Sequence, residues 1–89
     1  MGKTSLDLLT AGLEEIGRTA RRQRRQLGLT QAELAGLCGV GVRFVSELEA
    51  GKPTLEIGRA LHVLHHLGLE LRVDTRRTRA HDGQTAFPA

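Results

Sequence analysis

Apolar residues recur every three or four positions over the first third of the chain, which is the spacing of one face of an α-helix. The positions are Leu6, Leu9, Leu13, Ile16, Ala20 and Leu27, with Arg24 occupying one step. Ser5 or Thr10 is a candidate N-cap. Gly12 and Gly17 each weaken the helix by roughly 1 kcal/mol relative to alanine. We therefore expect the segment before Leu13 to fray or to form a separate turn, and the helix to end at Gly28.

A short second helix is predicted after that glycine. Thr30 and Glu33 have the spacing of a capping box, in which each side chain accepts a hydrogen bond from the other residue's backbone. The residues expected to be buried are Leu34, Ala35, Leu37 and Cys38. Gly39 and Gly41 end the helix, because glycine favours the conformations found just beyond a helix C-terminus.

Two further helices and their limits follow from the same rules. The third runs from about Val42 to Ala50 and ends at Gly51, with Pro53 preventing its continuation. Its expected buried residues are Val45 and Leu48. The fourth is capped by Thr54 and ends at Gly68. Its apolar set consists of Leu55, Ile57, Leu61, Leu64 and Leu67.

The pattern changes to strict alternation over residues 69–74, which is typical of a half-buried β-strand. Leu69, Leu71 and Val73 share one face of this strand. A lone strand cannot satisfy its own backbone groups, so it needs a partner strand. The candidates are the same strand of a second copy, paired antiparallel about a two-fold axis, or a strand of another protein. Residues 75–89 show no periodicity, and we expect a disordered tail.

The composition narrows the class of protein. Of 89 residues only two are Phe and none is Trp or Tyr, so the core must be aliphatic and stacking platforms for single-stranded nucleic acid are missing. Cys38 is the single cysteine, which excludes an internal disulfide and a four-cysteine zinc site. Neither an apolar run of about 20 residues nor a signal peptide is visible, and a cytoplasmic protein is expected.

Positive charge is concentrated in two places. The first cluster is Arg18, Arg21, Arg22, Arg24 and Arg25, and the second is Arg72, Arg76, Arg77 and Arg79. With a net charge of +3 and an isoelectric point near 10.0, this distribution is typical of a polyanion binder. A solvated helix face that keeps the protein soluble explains the charge equally well.

The second and third helices and the turn between them fit a helix-turn-helix. Gly39 tolerates positive φ, Val40 can fill the angle between the helices, and Ala35 allows close approach. If the third helix is held by its buried residues, its N-terminal end presents an outward face of the kind that reads base edges. That face consists of Val42, Arg43, Ser46 and Glu47.

Residues 28–53 read GLTQAELAGLCGVGVRFVSELEAGKP, which resembles the helix-turn-helix of the Cro/C1 repressor (XRE) family. The run RFVSELE, the length of the chain and the LGL that leads into a lone strand are similar to HipB-like antitoxins. The resemblance covers about residues 13–68. It implies an all-α, four- to five-helix, lambda-repressor-like domain with one C-terminal strand that pairs across a homodimer. The expected segments are an N-terminal arm or extra helical turn (1–12), the DNA-binding domain (13–68), the dimerisation strand (69–74) and the tail (75–89).

The resemblance also implies a function and a set of site residues. The DNA-contacting positions are Gln31, Gly41, Val42, Arg43, Ser46, Glu47 and Lys52, flanked by Arg21 and Arg25 of the first helix. The implied protein is a repressor of a palindromic operator, associated with the bacterial nucleoid, and the autoregulating antitoxin of a HipA-like serine/threonine kinase toxin. A free-standing repressor without a toxin and a protein–protein bridging module are the alternatives.

Other chemistry has little support in the sequence. His62 and His66 have the i, i+4 spacing of a metal pair, but no carboxylate or cysteine is placed to complete the ligand set. No phosphate-binding loop follows a strand, and a chain this short offers little cleft for a catalytic group. We therefore expect no enzyme activity, no metal and no cofactor.

Overall fold

The computed structural model describes the backbone of residues 5–72 and the side chains of residues 12–72. It contains α1 (Ser5–Gln26), α2 (Gln31–Cys38), α3 (Val42–Ala50) and α4 (Ile57–His66). α3 packs against both α1 and α2, and α2 also packs against α4. The all-α prediction is confirmed with four helices over the described range. α1 begins at Ser5 and continues through Gly12 without interruption.

All four helices end in a Schellman arrangement. Gly28, Gly39, Gly51 and Gly68 have φ values of 75°, 71°, 77° and 77°, as predicted for residues just beyond each helix. In each case the glycine and the next residue donate their amides back into the last turn; at α1 the Leu29 amide reaches the Arg24 carbonyl oxygen at 3.1 Å. These bonds satisfy carbonyls that would otherwise lack a partner. The chain therefore reverses sharply after each helix.

The predicted capping box at α2 is confirmed, but the predicted cap of α4 is wrong. Thr30 Oγ1 accepts from the Glu33 amide at 3.0 Å, and Glu33 Oε1 accepts from the Thr30 amide at 2.9 Å. At α4 the N-cap is Glu56, not Thr54; its carboxylate accepts from the amides of residues 58 and 59 at 3.2 and 2.8 Å. A carboxylate is favoured there because it satisfies free amides and faces the positive end of the helix dipole.

The core is small and aliphatic, as expected. Its buried members are Ala20, Leu34, Ala35, Cys38, Val45, Leu48, Ala60, Val63, Leu64 and Leu67. Three predicted members are wrong: Leu37, Ile57 and Leu61 are 61%, 59% and 43% exposed. Leu37 lies roughly 100° around α2 from the centre of its buried face. In α4 the buried residues are Ala60, Val63 and Leu64, so the buried stripe is shifted around the helix and Ile57 and Leu61 lie at its edge.

The predicted strand at residues 69–74 is not formed over residues 69–72, the part of it that the structure describes. Residues 69–72 have no strand assignment, while Val73, Asp74 and the expected tail at 75–89 lie outside the described residues. Leu69 packs against the core and donates its amide to the Leu64 carbonyl at 2.9 Å, whereas Leu71 is 43% exposed. A segment without a partner strand has no ladder of backbone hydrogen bonds to form.

The crossing of α1 and α3 depends on a glycine. A Cβ atom at Gly17 would lie 2.5 Å from the Glu49 carbonyl oxygen and 2.6 Å from that of Leu48. Neither backbone oxygen can move without displacing α3. Gly17 therefore sets the close approach of the two helices, a role that outweighs its cost to helix stability.

Gly17→Ala is therefore expected to destabilise the fold by about 1–3 kcal/mol through overpacking. The matched control is Gly12→Ala in the same helix, where an added Cβ would meet nothing within 4 Å. That control is expected to stabilise the protein by about 0.5–1 kcal/mol through helix propensity. Urea denaturation followed by circular dichroism measures both. A Gly17→Ala protein as stable as the wild type would show that α1 and α3 do not cross as closely as described.

Candidate nucleic-acid interface

α2, the turn at residues 39–41 and α3 form a helix-turn-helix. Val40 of the turn packs against the core, as predicted for a residue that fills the angle between the two helices. Ala35 is buried in α2, and Val45 and Leu48 are buried in α3. The inward side of α3 is therefore fixed by packing, and its opposite side faces solvent.

The predicted base-contacting residues lie together on that solvent side. Gly41, Val42, Arg43 and Ser46 are all exposed, and the Arg43 side chain is 87% exposed. They occupy the N-terminal end of α3, the end that recognition helices present to the major groove. Phe44 instead packs against the core, so it helps to hold α3 in place and does not belong to the solvent-facing side. Exposed Val42 has the apolar surface that suits a thymine methyl group.

Glu47 holds two cations beside this face. Its Oε2 atom accepts from Arg43 Nε and from Lys52 Nζ, both at 3.2 Å. The hydrogen bond from Lys52, aided by Arg43, lowers the pKa of the Glu47 carboxyl. The contact with Arg43 uses the Nε edge of the guanidinium, and within residues 12–72 no acceptor engages the terminal Nη groups. Two such groups match the paired acceptors on the major-groove edge of guanine.

A buried ion pair between α1 and α3 holds α3 in place on its inward side. Arg24 Nε lies 2.6 Å from Glu49 Oε2, and Arg24 Nη2 lies 3.0 Å from Glu49 Oε1. Arg24 Nη1 also donates to the Leu29 carbonyl oxygen at 2.7 Å. The guanidinium thus ties α1 to α3 and to the loop that leads into α2.

The ion pair keeps both of its members charged. Burial favours the neutral form of Glu49, but hydrogen bonds from Arg24 and Gln31, together with the Arg24 charge, outweigh it and lower the pKa of the carboxyl. The hydrogen bond from Glu49 likewise raises the pKa of Arg24. Sequence reasoning missed this pair and treated the arginines of the first helix as phosphate contacts or solubility charge. The available signal was that Arg24 occupies an apolar step of the α1 stripe.

Gln31, the first residue of α2, is hydrogen-bonded to the same Glu49 carboxylate. Its Nε2 atom donates to Glu49 Oε1 at 2.9 Å, and the side chain is half-buried. The N-terminal turn of α2 has free backbone amides that favour an anion. Gln31 therefore lies where α1, α2 and α3 meet, beside an end of α2 suited to phosphate.

The other arginines of α1 form an open basic surface. Its members are Arg18, Arg21, Arg22 and Arg25, with Gln26 beside them. Arg18 pairs with Glu15 at 2.9 Å on the same helix. Arg21 lies one turn before Arg24, whose guanidinium reaches Glu49 of α3, and residues three apart lie on the same side of a helix. Arg25 follows one turn after Arg21, so the basic surface of α1 begins on the side of the helix that contacts α3.

Two histidines of α4, His62 and His66, form side-chain hydrogen bonds with backbone carbonyl oxygens. His62 Nε2 lies 3.0 Å from the Cys38 carbonyl oxygen, and His66 Nδ1 lies 3.2 Å from the His62 carbonyl oxygen. Across the described residues, no group of three or more potential ligands is placed to hold a metal ion. Burial raises the pKa of the Cys38 thiol, as expected of a small buried residue. No described helix has the length and apolar character needed to cross a membrane.

Comparison with known proteins agrees with this geometry. A family profile described as Helix-turn-helix matches residues 21–73, which include α2, the turn, α3 and α4. A protein of Sinorhizobium fredii, named as an uncharacterised HTH-type transcriptional regulator (y4mF), is 49% identical over 59 residues. That match covers 66% of this chain and 78% of the relative. The chain belongs to this helix-turn-helix family.

Proposed function

We propose that this protein is a sequence-specific, double-stranded DNA-binding transcriptional repressor. The observation that carries the proposal is the exposed N-terminal end of α3, where Arg43 extends its Nη groups to solvent while Val45 and Leu48 anchor the helix. Membership of the helix-turn-helix family and a relative named as a transcriptional regulator support DNA-binding regulation. The basic surface of α1 and exposed Arg43 favour DNA over the alternative of a protein–protein bridging module.

In the proposed complex α3 lies in the major groove. Arg43 contacts a guanine, with Val42 and Ser46 beside it and the Gly41 backbone close to the DNA. Glu47 holds Arg43 in position or accepts from a cytosine amino group. The phosphate contacts come from Gln31, Lys52, Arg21 and Arg25, which fix the register of the domain without reading sequence.

The proposed active form is a homodimer joined through residues 69–74. Leu69, Leu71 and Val73 would pair with the same residues of a second copy about a two-fold axis. That axis sets two recognition helices about 34 Å apart, so each reads one half of a palindromic operator. Each chain supplies one copy of α3, so a dimer is needed to supply the second recognition helix.

We further propose that the protein is the autoregulating antitoxin of a HipA-like kinase, acting in the bacterial cytoplasm at the nucleoid. The support is the run RFVSELE in α3 and the LGL that precedes residues 69–74. The identity of the adjacent reading frame, followed by co-purification of its product, tests this proposal. An adjacent frame without a kinase favours a free-standing repressor.

The central experiment compares binding to the DNA upstream of the chain's own reading frame with binding to a scrambled duplex. A specific site is expected to bind at least about 10³-fold more tightly than the scrambled sequence at physiological salt. Fluorescence anisotropy with labelled duplexes measures both affinities. Equal affinity for the two duplexes would contradict sequence-specific binding and show that the protein binds DNA non-specifically.

The proposed phosphate contacts predict a salt dependence. Removing one cation that neutralises a phosphate is expected to reduce the slope of log K against log salt by about 0.9. Lys52→Ala and the triple variant Arg21→Ala, Arg22→Ala, Arg25→Ala are the test proteins. Arg59→Ala, which removes an exposed charge from α4, is the control and should leave the slope unchanged. Unchanged slopes in both test proteins would show that these cations are only solvated surface.

A further inference from the structure

The buried carboxylate of Glu49 is shared by two donors from different helices. Its Oε1 atom accepts from Arg24 Nη2 of α1 at 3.0 Å and from Gln31 Nε2 of α2 at 2.9 Å. The Glu49 side chain is only 5% exposed. Three helices therefore meet at one carboxylate, directly behind the N-terminus of α2.

The chemistry of the two side chains fixes the orientation of the Gln31 amide. An ionised carboxylate can only accept hydrogen bonds, whereas a glutamine amide has an accepting oxygen and a donating nitrogen. Gln31 must therefore turn its NH₂ group, and not its oxygen, toward Glu49. One N–H is used in that bond, and the same nitrogen carries a second.

A DNA phosphate is also an acceptor, so only the N–H side of a glutamine amide can bind it. A glutamine free to rotate would present its oxygen to the phosphate for part of the time. A glutamine whose nitrogen is held beside Glu49 keeps a donor available at the N-terminus of α2. Charge-assisted bonds of this kind are stronger than neutral ones.

We propose that Glu49 is a positioning residue for DNA binding, which orients the Gln31 amide so that an N–H is presented to the phosphate backbone. Arg24 keeps Glu49 in place and ionised. Glu49 itself does not touch DNA, because it is buried. The inference rests on the proposed role of Gln31 as a phosphate contact, and it adds the residue that makes the contact effective.

A double-mutant cycle tests this role with a duplex of arbitrary sequence, about 20 base pairs long, at low salt. A phosphate contact does not depend on sequence, so the result is independent of whether an operator exists. Gln31→Ala is expected to weaken binding by about tenfold in the wild-type background. In the Glu49→Gln background the same change should cost less than about twofold, because a neutral amide at position 49 offers both a donor and an acceptor and no longer dictates which side of the Gln31 amide faces it.

Equal reductions of affinity in the two backgrounds would overturn the proposal, since Gln31 would then act without Glu49. An unchanged affinity in both backgrounds would overturn both the positioning role and the phosphate contact, while base reading by α3 would stand unaffected. The two failures are therefore distinguishable.

A second measurement uses the unaltered protein, in case Glu49→Gln fails to fold. The side-chain Nε2 protons of Gln31 are expected to shift in NMR spectra as acid protonates the Glu49 carboxyl. Gln23 is the matched control, since its Nε2 donates to the Leu67 backbone carbonyl at 3.0 Å, an acceptor that does not titrate. A Gln31 signal that stays as constant as that of Gln23 while the fold persists would overturn the proposal.

Discussion

Arg24→Met is expected to destabilise the protein by about 3–5 kcal/mol at neutral pH. The substitution keeps the volume of the side chain but leaves the Glu49 carboxylate buried without its cation, and breaking a buried pair in this way is strongly destabilising. It also removes the donor to the Leu29 carbonyl. For a domain whose total stability is about 5–15 kcal/mol, such a loss is a large fraction of the whole. Urea denaturation at neutral pH measures it.

The loss is expected to shrink in acid. In the wild type the pKa of Glu49 is lowered, so its contribution to stability is present above the unfolded value of about 4.3 and is lost as pH falls through the folded value. In Arg24→Met burial is opposed only by the Gln31 hydrogen bond and the more distant Arg21 charge, so the pKa of Glu49 rises and protonation relieves the penalty. Arg22→Met, at an exposed position of the same helix, is the control and should change stability by less than about 0.5 kcal/mol. If Arg24→Met lost no more stability than the Arg22→Met control, or if its loss did not change with pH, the ion pair would not support the fold.

Leu71→Lys is expected to abolish the proposed homodimer and, with it, specific DNA binding. A charge placed among the aliphatic side chains of a two-stranded interface would have to be buried without a partner. Each monomer would then read one half-site only, and affinity would fall by about 10²-fold or more, because the two half-sites would no longer be bound by one linked molecule. The helical domain should remain folded at low temperature, because Leu71 is not part of the buried core. Sedimentation gives the oligomeric state, and anisotropy gives the affinity.

Arg72→Ala is the control for this prediction. Arg72 is the next residue, also exposed, and would lie on the opposite face of the predicted strand, so its loss should leave both dimer and specificity intact. A Leu71→Lys protein that remains a dimer with unchanged affinity would place the interface elsewhere. Residues 69–74 would then be better interpreted as a docking strand for a partner protein.

Local signals in the sequence predicted the helix limits well. The glycines at 28, 39, 51 and 68 and the capping box at Thr30 depend on only a few neighbouring residues, and the structure confirms them. Glu56 was missed because an N-cap also depends on where the chain turns beforehand. Residues 52–55 form that turn, with the Leu55 amide donating to the Lys52 carbonyl at 3.3 Å.

Tertiary packing explains what the sequence could not supply. Periodicity predicts an apolar face but not its centre, so Leu37 and Ile57 were assigned to the core while Ala60 and Val63 were overlooked. A charge in an apolar stripe does not reveal its partner, and Arg24 is separated from Glu49 by 25 positions. The residues of the candidate site were easier to place, because the two turn-forming glycines and the buried pair Val45 and Leu48 determine which side of α3 faces outward.

The most direct test of base reading by α3 is the affinity of Arg43→Ala for its operator and for scrambled DNA. If Arg43 contacts a guanine through both Nη groups, the substitution should cost about 1–3 kcal/mol per half-site on the operator and far less on scrambled DNA. Discrimination should be lost at one base pair of each half-site, as measured with duplexes that carry single base-pair changes. An equal loss of affinity for operator and scrambled DNA, with all base preferences retained, would show that Arg43 contacts only phosphate and would contradict the account.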